Sequence, residues 1–274
     1  MRLRLAAPLF AGLCLGITAA PAATAATNLN AFRAIPVSVT VGAPATALSR
    51  LAPDADPRVL QLALEARDCA AASAGQPPAP RLAVIDYSLP STQKRLWVFD
   101  LAANKLLFHE VVAHGQGTGE NMARAFSNRH DSHQTSLGLF RTGETYQGSN
   151  GYSMRMVGLE PGTNDQAMAR AIVMHGAPYV NPAMAQKTGR LGRSWGCPAV
   201  RPEVARQVID SLKNGQMIFS YYPESNWLAR SPFINCASRS KATLLAANRR
   251  SGAASGPAAA GTTLSAGTRT LLPK

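Results

Sequence analysis

Seven short runs of apolar and β-branched residues, separated by turn-forming residues, dominate the chain between residues 82 and 222. Each run is rich in Val, Ile, Leu, Phe, Tyr and Trp, and each has the length of a β-strand. The runs are 82–87, 95–100, 105–113, 136–142, 152–159, 171–175 and 216–222. We therefore expect a fold that is mainly β with a few helices, of the α+β class.

Two helices are expected beside these strands. Asp54 or Asp56 can cap a helix that has Pro57 in its first turn, and we expect this helix over residues 57–71. A second helix is expected over residues 201–214, where apolar residues recur at helical spacing.

Composition divides the chain into four segments. Residues 1–25 combine early arginines, a short apolar stretch and Ala-x-Ala sites, which is the layout of a secretory signal peptide. An extended lead-in, the first helix and a Pro-rich linker are expected in residues 26–80, and one domain of ordinary size in residues 81–225. Residues 226–274 are basic and of low complexity, so we expect a disordered tail.

The signal peptide predicts export. Its apolar stretch is shorter than the roughly 20 residues that span a bilayer, so we expect a secreted protein without stable membrane insertion after signal removal. An uncleaved membrane anchor is the alternative.

The formal net charge of +13 is unevenly distributed. Two of these charges lie in the signal segment and seven in residues 226–274, which leaves +4 on the region between them. Because that region is nearly balanced and lacks interleaved aromatic and basic residues, we do not expect a nucleic-acid partner.

Removal of the signal peptide leaves three cysteines: Cys69, Cys197 and Cys236. An odd number in an oxidising compartment indicates either one disulfide with one free thiol or no disulfide at all. A bond between Cys69 and Cys236 would leave Cys197 free, but the sequence does not decide between these alternatives.

Cys197 follows Gly196 and lies twenty-two residues after His175. A thiol acts as a nucleophile only as its thiolate, and a nearby imidazole commonly generates that form. The missing side chain of Gly196 allows a substrate carbonyl to approach backbone amides that can stabilise an oxyanion. His175 ends an apolar run, and Gly176 is expected to leave space beside it. This pattern predicts cysteine acyl transfer.

Several longer motifs surround this pair. They are Ser132-His133-Gln134-Thr135-Ser136-Leu137-Gly138, Thr142-Gly143-Glu144-Thr145-Tyr146 and Gly189-Arg190-Leu191-Gly192-Arg193-Ser194-Trp195-Gly196-Cys197-Pro198-Ala199. Together with His175-Gly176 they resemble the murein L,D-transpeptidase catalytic-domain family, the YkuD-like cysteine transpeptidases, in a subgroup with Ser-Trp-Gly-Cys-Pro. The resemblance implies a β-sandwich catalytic domain over residues 81–225, preceded by a short helical segment.

The resemblance also implies a reaction on peptidoglycan stem peptides, which serve as donor and acceptor. In this family the cysteine attacks the carbonyl of diaminopimelate, releases D-Ala and forms a thioester, which an amine then converts into a 3-3 crosslink. Carried onto this chain, Cys197 is the nucleophile, His175 the general base and Gly196 part of the oxyanion hole. A carbapenem is expected to acylate the same thiol, and no metal or other cofactor is expected.

Further residues are expected to contact substrate. Most family members have a histidine where this chain has Trp195, whose indole can stack on a substrate but cannot accept a proton. A guanidinium such as that of Arg193 suits a substrate carboxylate. The expected substrate-binding residues are Trp195, Arg193, Ser194, His133, His114 and Gly176.

Four other functions remain open at this point. Water instead of an amine would make the protein an L,D-carboxypeptidase or a hydrolase that cleaves crosslinks. A non-catalytic wall-binding module is an alternative of another class. A zinc hydrolase is disfavoured because no His-Glu-x-x-His motif occurs, and a papain-like amidase because the histidine precedes the cysteine.

Overall fold

The computed structural model describes residues 43–236, which contain eight strands and five helices. The helices are α1 (Ala43–Leu51), α2 (Pro57–Ala74), α3 (Pro182–Thr188), α4 (Pro202–Leu212) and α5 (Ser225–Arg230). The strands are β1 (Arg81–Asp86), β2 (Leu96–Asp100), β3 (Lys105–Glu110), β4 (Gly138–Gly148), β5 (Gly151–Gly158), β6 (Val173–Gly176), β7 (Ala199–Val200) and β8 (Met217–Tyr221). The expected signal peptide and the part of the tail beyond residue 236 lie outside the described residues.

Hydrogen bonds join all eight strands into one mixed sheet in the order β3-β2-β1-β8-β4-β5-β6-β7. The pairs β1–β8 and β6–β7 are parallel, and the other neighbours are antiparallel. A bridge between Ala113, just after β3, and Ala199 in β7 connects the two ends of the sheet. The sheet therefore curls until its ends meet, and the expected mainly β fold with a few helices is confirmed.

The two faces of this sheet bury two separate apolar cores. In β1, Leu82 and Val84 belong to the core that α1, α2 and α5 cover, whereas Ala83 and Ile85 belong to the core that contains α4. Strands buried on both faces need apolar residues at consecutive positions, which explains the unbroken apolar runs in the sequence.

Helix α2 begins as the sequence predicts. The side chain of Asp56 accepts a hydrogen bond from the backbone N–H of Arg58, and Pro57 lies in the first turn. The helix continues to Ala74 and ends at Gly75, which adopts the left-handed conformation typical of a C-cap. It is three residues longer than expected because the alanine-rich sequence before Gly75 favours helix.

The expected extended lead-in is wrong for residues 43–50, which are helical in α1. Pro44 lies in the first turn, where a missing N–H costs nothing. Ala45 and Leu48 are three residues apart on one helix face and are buried in the same core as α2. The remainder of the lead-in lies outside the described residues.

The expected disorder is also wrong for residues 226–236. Trp227 in α5 is buried, and its indole N–H donates to Oε2 of Glu160 at 2.8 Å. Ile234 is buried in the same core, and Cys236 forms a disulfide with Cys69 in α2. Two large apolar side chains and one covalent bond hold this segment in place. The prediction of disorder relied on the average composition of residues 226–274, in which these three residues carry little weight.

No helix within residues 43–236 is both long enough and apolar enough to cross a bilayer.

Candidate active site

Cys197 lies at the end of the loop that leads into β7, beside strand β6. The parallel register of β6 and β7 sets His175 opposite Ala199, so Cys197 lies level with Val173. The backbone N–H of Val173 accordingly donates to Sγ of Cys197 at 3.4 Å. Gly196 has a φ of +120°, a conformation that strongly favours glycine, and this turn directs the half-buried thiol toward β6.

His175 lies on β6 two residues after Val173, and its ring is almost completely buried. Its Nδ1 is 3.0 Å from the carbonyl oxygen of Gly176. Because a carbonyl only accepts, Nδ1 carries the proton and Nε2 of the neutral ring carries the lone pair. Burial lowers the pKa of His175 below its ordinary value, which keeps the ring neutral and able to accept a proton.

The thiol and the imidazole line one open cavity of about 410 Å³. The turn between β4 and β5 contributes Ser149 and Asn150 to its rim. The other residues of the wall that bear on the chemistry are Arg170, His175, Tyr179, Arg193, Ser194, Trp195 and Cys197. The cavity therefore combines a thiol, an imidazole and guanidinium groups with access to solvent.

Two opposing influences act on the thiol of Cys197. Burial raises its pKa, whereas the N–H of Val173 and the positive charge of Arg170 lower it. Burial is the larger influence, so the pKa lies above that of an ordinary cysteine. Both directions favour a neutral thiol beside a neutral imidazole in the resting protein.

Ser194 holds the loop that carries Cys197. Its hydroxyl donates to the carbonyl oxygen of Cys197 at 2.6 Å and accepts the N–H of Gly196 at 3.1 Å. The residue is largely buried and lines the cavity of Cys197 and His175, so it shapes the loop at the edge of the expected substrate position. The N–H of Gly196 is thereby occupied, whereas no group within residues 43–236 accepts the N–H of Cys197.

Trp195 and His133 form a stacked pair at the surface. Their rings are 5.0 Å apart with an angle of 9° between the planes, and Trp195 is 72 % exposed. Gln116 donates from Nε2 to Nδ1 of His133 at 2.8 Å and fixes the ring. Trp195 lines the thiol cavity on one side and, with His133, a second hollow of about 240 Å³ on the other.

Arg193 lines the cavity but is already paired. Its guanidinium forms an ion pair with Glu120 at 2.8 Å and donates to the carbonyl oxygen of Gly119 at 3.0 Å. Arg190 contacts the same carboxylate at 2.7 Å. A substrate carboxylate would compete with Glu120 for Arg193.

The expected role of His114 in the substrate groove is wrong, because its ring is buried. Nδ1 accepts from Nη2 of Arg95 at 2.8 Å, and Nε2 donates to the carbonyl oxygen of Gly119 at 3.2 Å. Burial and the charge of Arg95 lower the pKa of His114 to about 4, so the ring is neutral. The backbone carbonyl of His114 accepts the N–H of Ser194 at 3.0 Å, so His114 supports the loop that carries Cys197.

Gly176 also has a different role from the one expected. A β-carbon at this position would lie 2.8 Å from Cβ of Ala205 and 3.3 Å from Cα of Pro202. Both residues belong to α4, so the glycine allows the start of this helix to approach β6. It opens no space for a substrate.

Arg170 is a residue of the site that the sequence analysis missed. Its guanidinium lines both the thiol cavity and the second hollow, and it donates to Ser127, Ser136, Ser132 and Gln134 at 2.6–3.3 Å. No carboxylate within residues 43–236 forms an ion pair with it. Arg170 lies in an irregular turn without a motif, so no sequence signal identifies it.

Within residues 43–236, no three side chains of His, Cys, Asp or Glu converge in a group that could hold a metal ion. His130, Asp131 and His133 lie along the same hollow without forming such a group.

A family model of the L,D-transpeptidase catalytic domain matches residues 51–221, more than half of the chain. The match begins at the end of α1, ends in β8 and includes Cys197, His175 and Arg170. A comparison with curated proteins finds no match.

Three solved structures are similar to parts of this chain at low identity. An L,D-transpeptidase from Mycobacterium smegmatis is 15 % identical, with 54 % of this chain and 61 % of that chain covered and a TM-score of 0.33. LdtMt1 in complex with imipenem is 15 % identical, with 53 % and 60 % covered and a TM-score of 0.33. The helical cell shape determining protein Pgp2 (K307A mutant) from Campylobacter jejuni is 12 % identical, with 54 % and 48 % covered and a TM-score of 0.35. This chain thus spans less than two thirds of the length of each of these proteins.

Proposed function

Because this chain belongs to the family of L,D-transpeptidase catalytic domains, we propose that it is an exported cysteine acyl-transferase acting on the stem peptides of peptidoglycan. The observation that carries the proposal is the shared cavity of Cys197 and His175, in which the imidazole keeps Nε2 free to accept a proton. A thiol and a neutral imidazole in one solvent-accessible cavity are what thioester chemistry requires.

The first half of the reaction forms the acyl-enzyme. Sγ of Cys197 bonds to the carbonyl carbon of diaminopimelate in a donor tetrapeptide while its proton moves to Nε2 of His175. The tetrahedral intermediate then collapses, the bond to the terminal D-Ala breaks, and His175 returns the proton to the leaving amine. The products of this half are free D-Ala and a thioester on Cys197.

The oxyanion of that intermediate requires a hydrogen-bond donor on the nucleophile loop. The N–H of Gly196 is engaged by Ser194, whereas the N–H of Cys197 has no acceptor within residues 43–236. We therefore assign the oxyanion contact to the amide of Cys197, and Gly196 supplies the backbone conformation that precedes it.

The second half transfers the acyl group to an amine. The side-chain amine of diaminopimelate on a neighbouring stem attacks the thioester carbonyl, gives its proton to His175 and displaces the thiolate, which makes a 3-3 crosslink. If water takes the place of the amine, the product is a tripeptide, and the protein is an L,D-carboxypeptidase.

A carbapenem should acylate Cys197 by opening its four-membered ring on the same sulfur. The location that suits this function is the bacterial periplasm or cell envelope, where the signal sequence of residues 1–25 would direct the chain.

Incubation with purified disaccharide-tetrapeptide, followed by chromatography and mass spectrometry, tests the proposal. We expect crosslinked dimers and free D-Ala from the wild-type protein and neither product from Cys197→Ala, with equal melting temperatures for the two proteins. Tripeptide without dimer would assign hydrolysis instead. Binding of the tetrapeptide without any product, in a correctly folded wild-type protein, would identify a non-catalytic module and contradict the proposal.

A further inference from the structure

Arg170 places a positive charge directly behind the nucleophile loop. A β-carbon on Gly196 would lie 3.2 Å from Nη2 of Arg170, so the guanidinium lies beside the residue that immediately precedes Cys197. The two side chains also line the same cavity. The cation is therefore close to the position where negative charge develops on the sulfur.

Four hydrogen bonds hold the guanidinium in this place. Nη1 donates to the carbonyl oxygen of Ser127 and to Oγ of Ser136, each at 2.7 Å. Nη2 donates to the carbonyl oxygen of Gln134 at 2.6 Å and to Oγ of Ser132 at 3.3 Å. All four acceptors are uncharged oxygens, so they orient the cation without neutralising it.

The charges of the surrounding groups make Arg170 distinctive. Arg193 faces the same cavity, but Glu120 neutralises it. Asp131 lines the adjoining hollow and forms no ion pair within residues 43–236. The titratable or charged groups that face or act on the sulfur are Arg170, His175, Tyr179, Arg193 and, from beneath, buried Tyr87. Arg170 is the one cation of this set that lacks a carboxylate partner.

We propose that Arg170 stabilises the thiolate of Cys197 as its proton moves to His175. This inference rests on the proposed function and adds to it the source of the electrostatic stabilisation. An opposite charge close to an ionisable group favours its ionised form, and a half-buried site weakens the screening by water. The burial of the sulfur opposes ionisation, and the charge of Arg170 acts against that effect.

The test measures the rate at which iodoacetamide alkylates Cys197 as a function of pH, with the modified residue identified by peptide mapping. Alkylation requires the thiolate, so the midpoint of the profile reports the ionisation of the sulfur. We expect Arg170→Gln to raise this midpoint by roughly one pH unit, the lower end of the effect of a close opposite charge. Arg170→Lys retains the charge and should return the midpoint toward that of the wild-type protein.

Two control variants separate charge from structure. Ser136→Ala removes one hydrogen bond to the guanidinium and leaves its charge, so its midpoint should equal that of the wild-type protein. Arg155→Gln removes a cation that pairs with Glu144 on the β4–β5 hairpin, and its midpoint should not move. Thermal melting confirms that each variant is folded before its profile is compared.

An unchanged midpoint in folded Arg170→Gln would overturn the inference. An equal rise in Arg170→Gln and Ser136→Ala would also overturn it, because the residue would then act only by organising the loop. The alkylation assay needs no stem peptide, so its result can be interpreted whether or not the protein converts stem peptides. A wild-type protein that converts no stem peptide but shows the expected shift would refute the proposed function and leave the role of Arg170 in place.

Discussion

The hydroxyl of Ser194 donates a hydrogen bond of 2.6 Å to the carbonyl oxygen of Cys197, three residues later. The same hydroxyl accepts the N–H of Gly196, so one side chain closes the turn that presents the thiol. The bond from Gly196 is buried, and the bond to Cys197 is partly buried. The conformation of the nucleophile loop therefore depends on this serine.

Replacement of Ser194 by alanine should reduce both activity and stability. The buried N–H of Gly196 and the partly buried carbonyl of Cys197 would lose their partner, which costs about 1–3 kcal/mol in the free energy of unfolding. A small displacement of the thiol should also lower kcat/KM roughly 10- to 100-fold. Denaturant unfolding and steady-state kinetics measure the two effects.

Ser211→Ala is the matched control for this prediction. Its hydroxyl donates to the carbonyl oxygen of Val208 within α4, outside the site. Its kcat/KM should stay near that of the wild-type protein, and equal losses in the two variants would contradict the role given to Ser194.

The pH dependence of kcat/KM should show the protonation of His175 at an unusually low pH. Only the neutral ring can accept the thiol proton, so activity is lost as pH falls through the pKa of this residue. Burial lowers that pKa below its ordinary value of 6.5, and the acidic limb should therefore lie below pH 6.5. Steady-state rates between about pH 4 and pH 8 give the position of this limb.

Suppose that activity falls on acidification already above pH 6.5, and that this fall is absent from a His175 variant with residual activity. That result would contradict this assignment. Such a result would require a charged group that stabilises the imidazolium, and the described wall of the cavity offers cations instead.

Trp195→Ala should weaken substrate binding with little effect on folding. The indole is 72 % exposed and stacks on His133, so it presents an aromatic surface to the cavity. Loss of this surface should raise KM roughly 2- to 10-fold, while the free energy of unfolding changes by about 0.5 kcal/mol or less. Trp195→Phe preserves the stacking and should remain near the wild-type KM. Equal KM values for the alanine variant and the wild-type protein would show that substrate avoids this surface.

Several features of the fold and the site could be predicted from the sequence. The apolar runs predicted seven of the eight strands because strands buried on both faces leave unbroken apolar stretches, whereas the two-residue strand β7 is too short to leave one. The number of cysteines did not decide whether Cys69 pairs with Cys236, and the structure contains this disulfide. Cys197 and His175, which the residue pattern and the family resemblance predicted to act together, line one cavity.

Other features depend on tertiary contacts that the sequence does not encode locally. His114 follows an apolar segment like a site residue, but Arg95 binds it in the interior. Gly176 directly follows His175, but it lacks a side chain because α4 packs against this position. Arg170 has no motif, and its importance arises from the loop that folds around its guanidinium.

Loss of the disulfide between Cys69 and Cys236 should destabilise the protein without abolishing the thiol chemistry. The bond joins residues 167 positions apart and holds the segment after α5 to α2. Its removal in a Cys69→Ala, Cys236→Ala double variant should lower the free energy of unfolding by about 2–5 kcal/mol. Denaturant unfolding measures this loss, and alkylation at Cys197 should continue at the wild-type rate in the folded double variant. Unchanged stability would contradict the structural role of the bond.

Detection of the acyl-enzyme tests the central claim most directly. The protein is mixed with stem tetrapeptide or with a carbapenem, quenched in acid to preserve thioesters, digested and examined by mass spectrometry. We predict an added acyl mass on the peptide that contains Cys197, its loss on treatment with hydroxylamine, and no such mass in Cys197→Ser. Product formation at the wild-type rate by Cys197→Ser, or an acyl group attached to a different residue, would contradict the account.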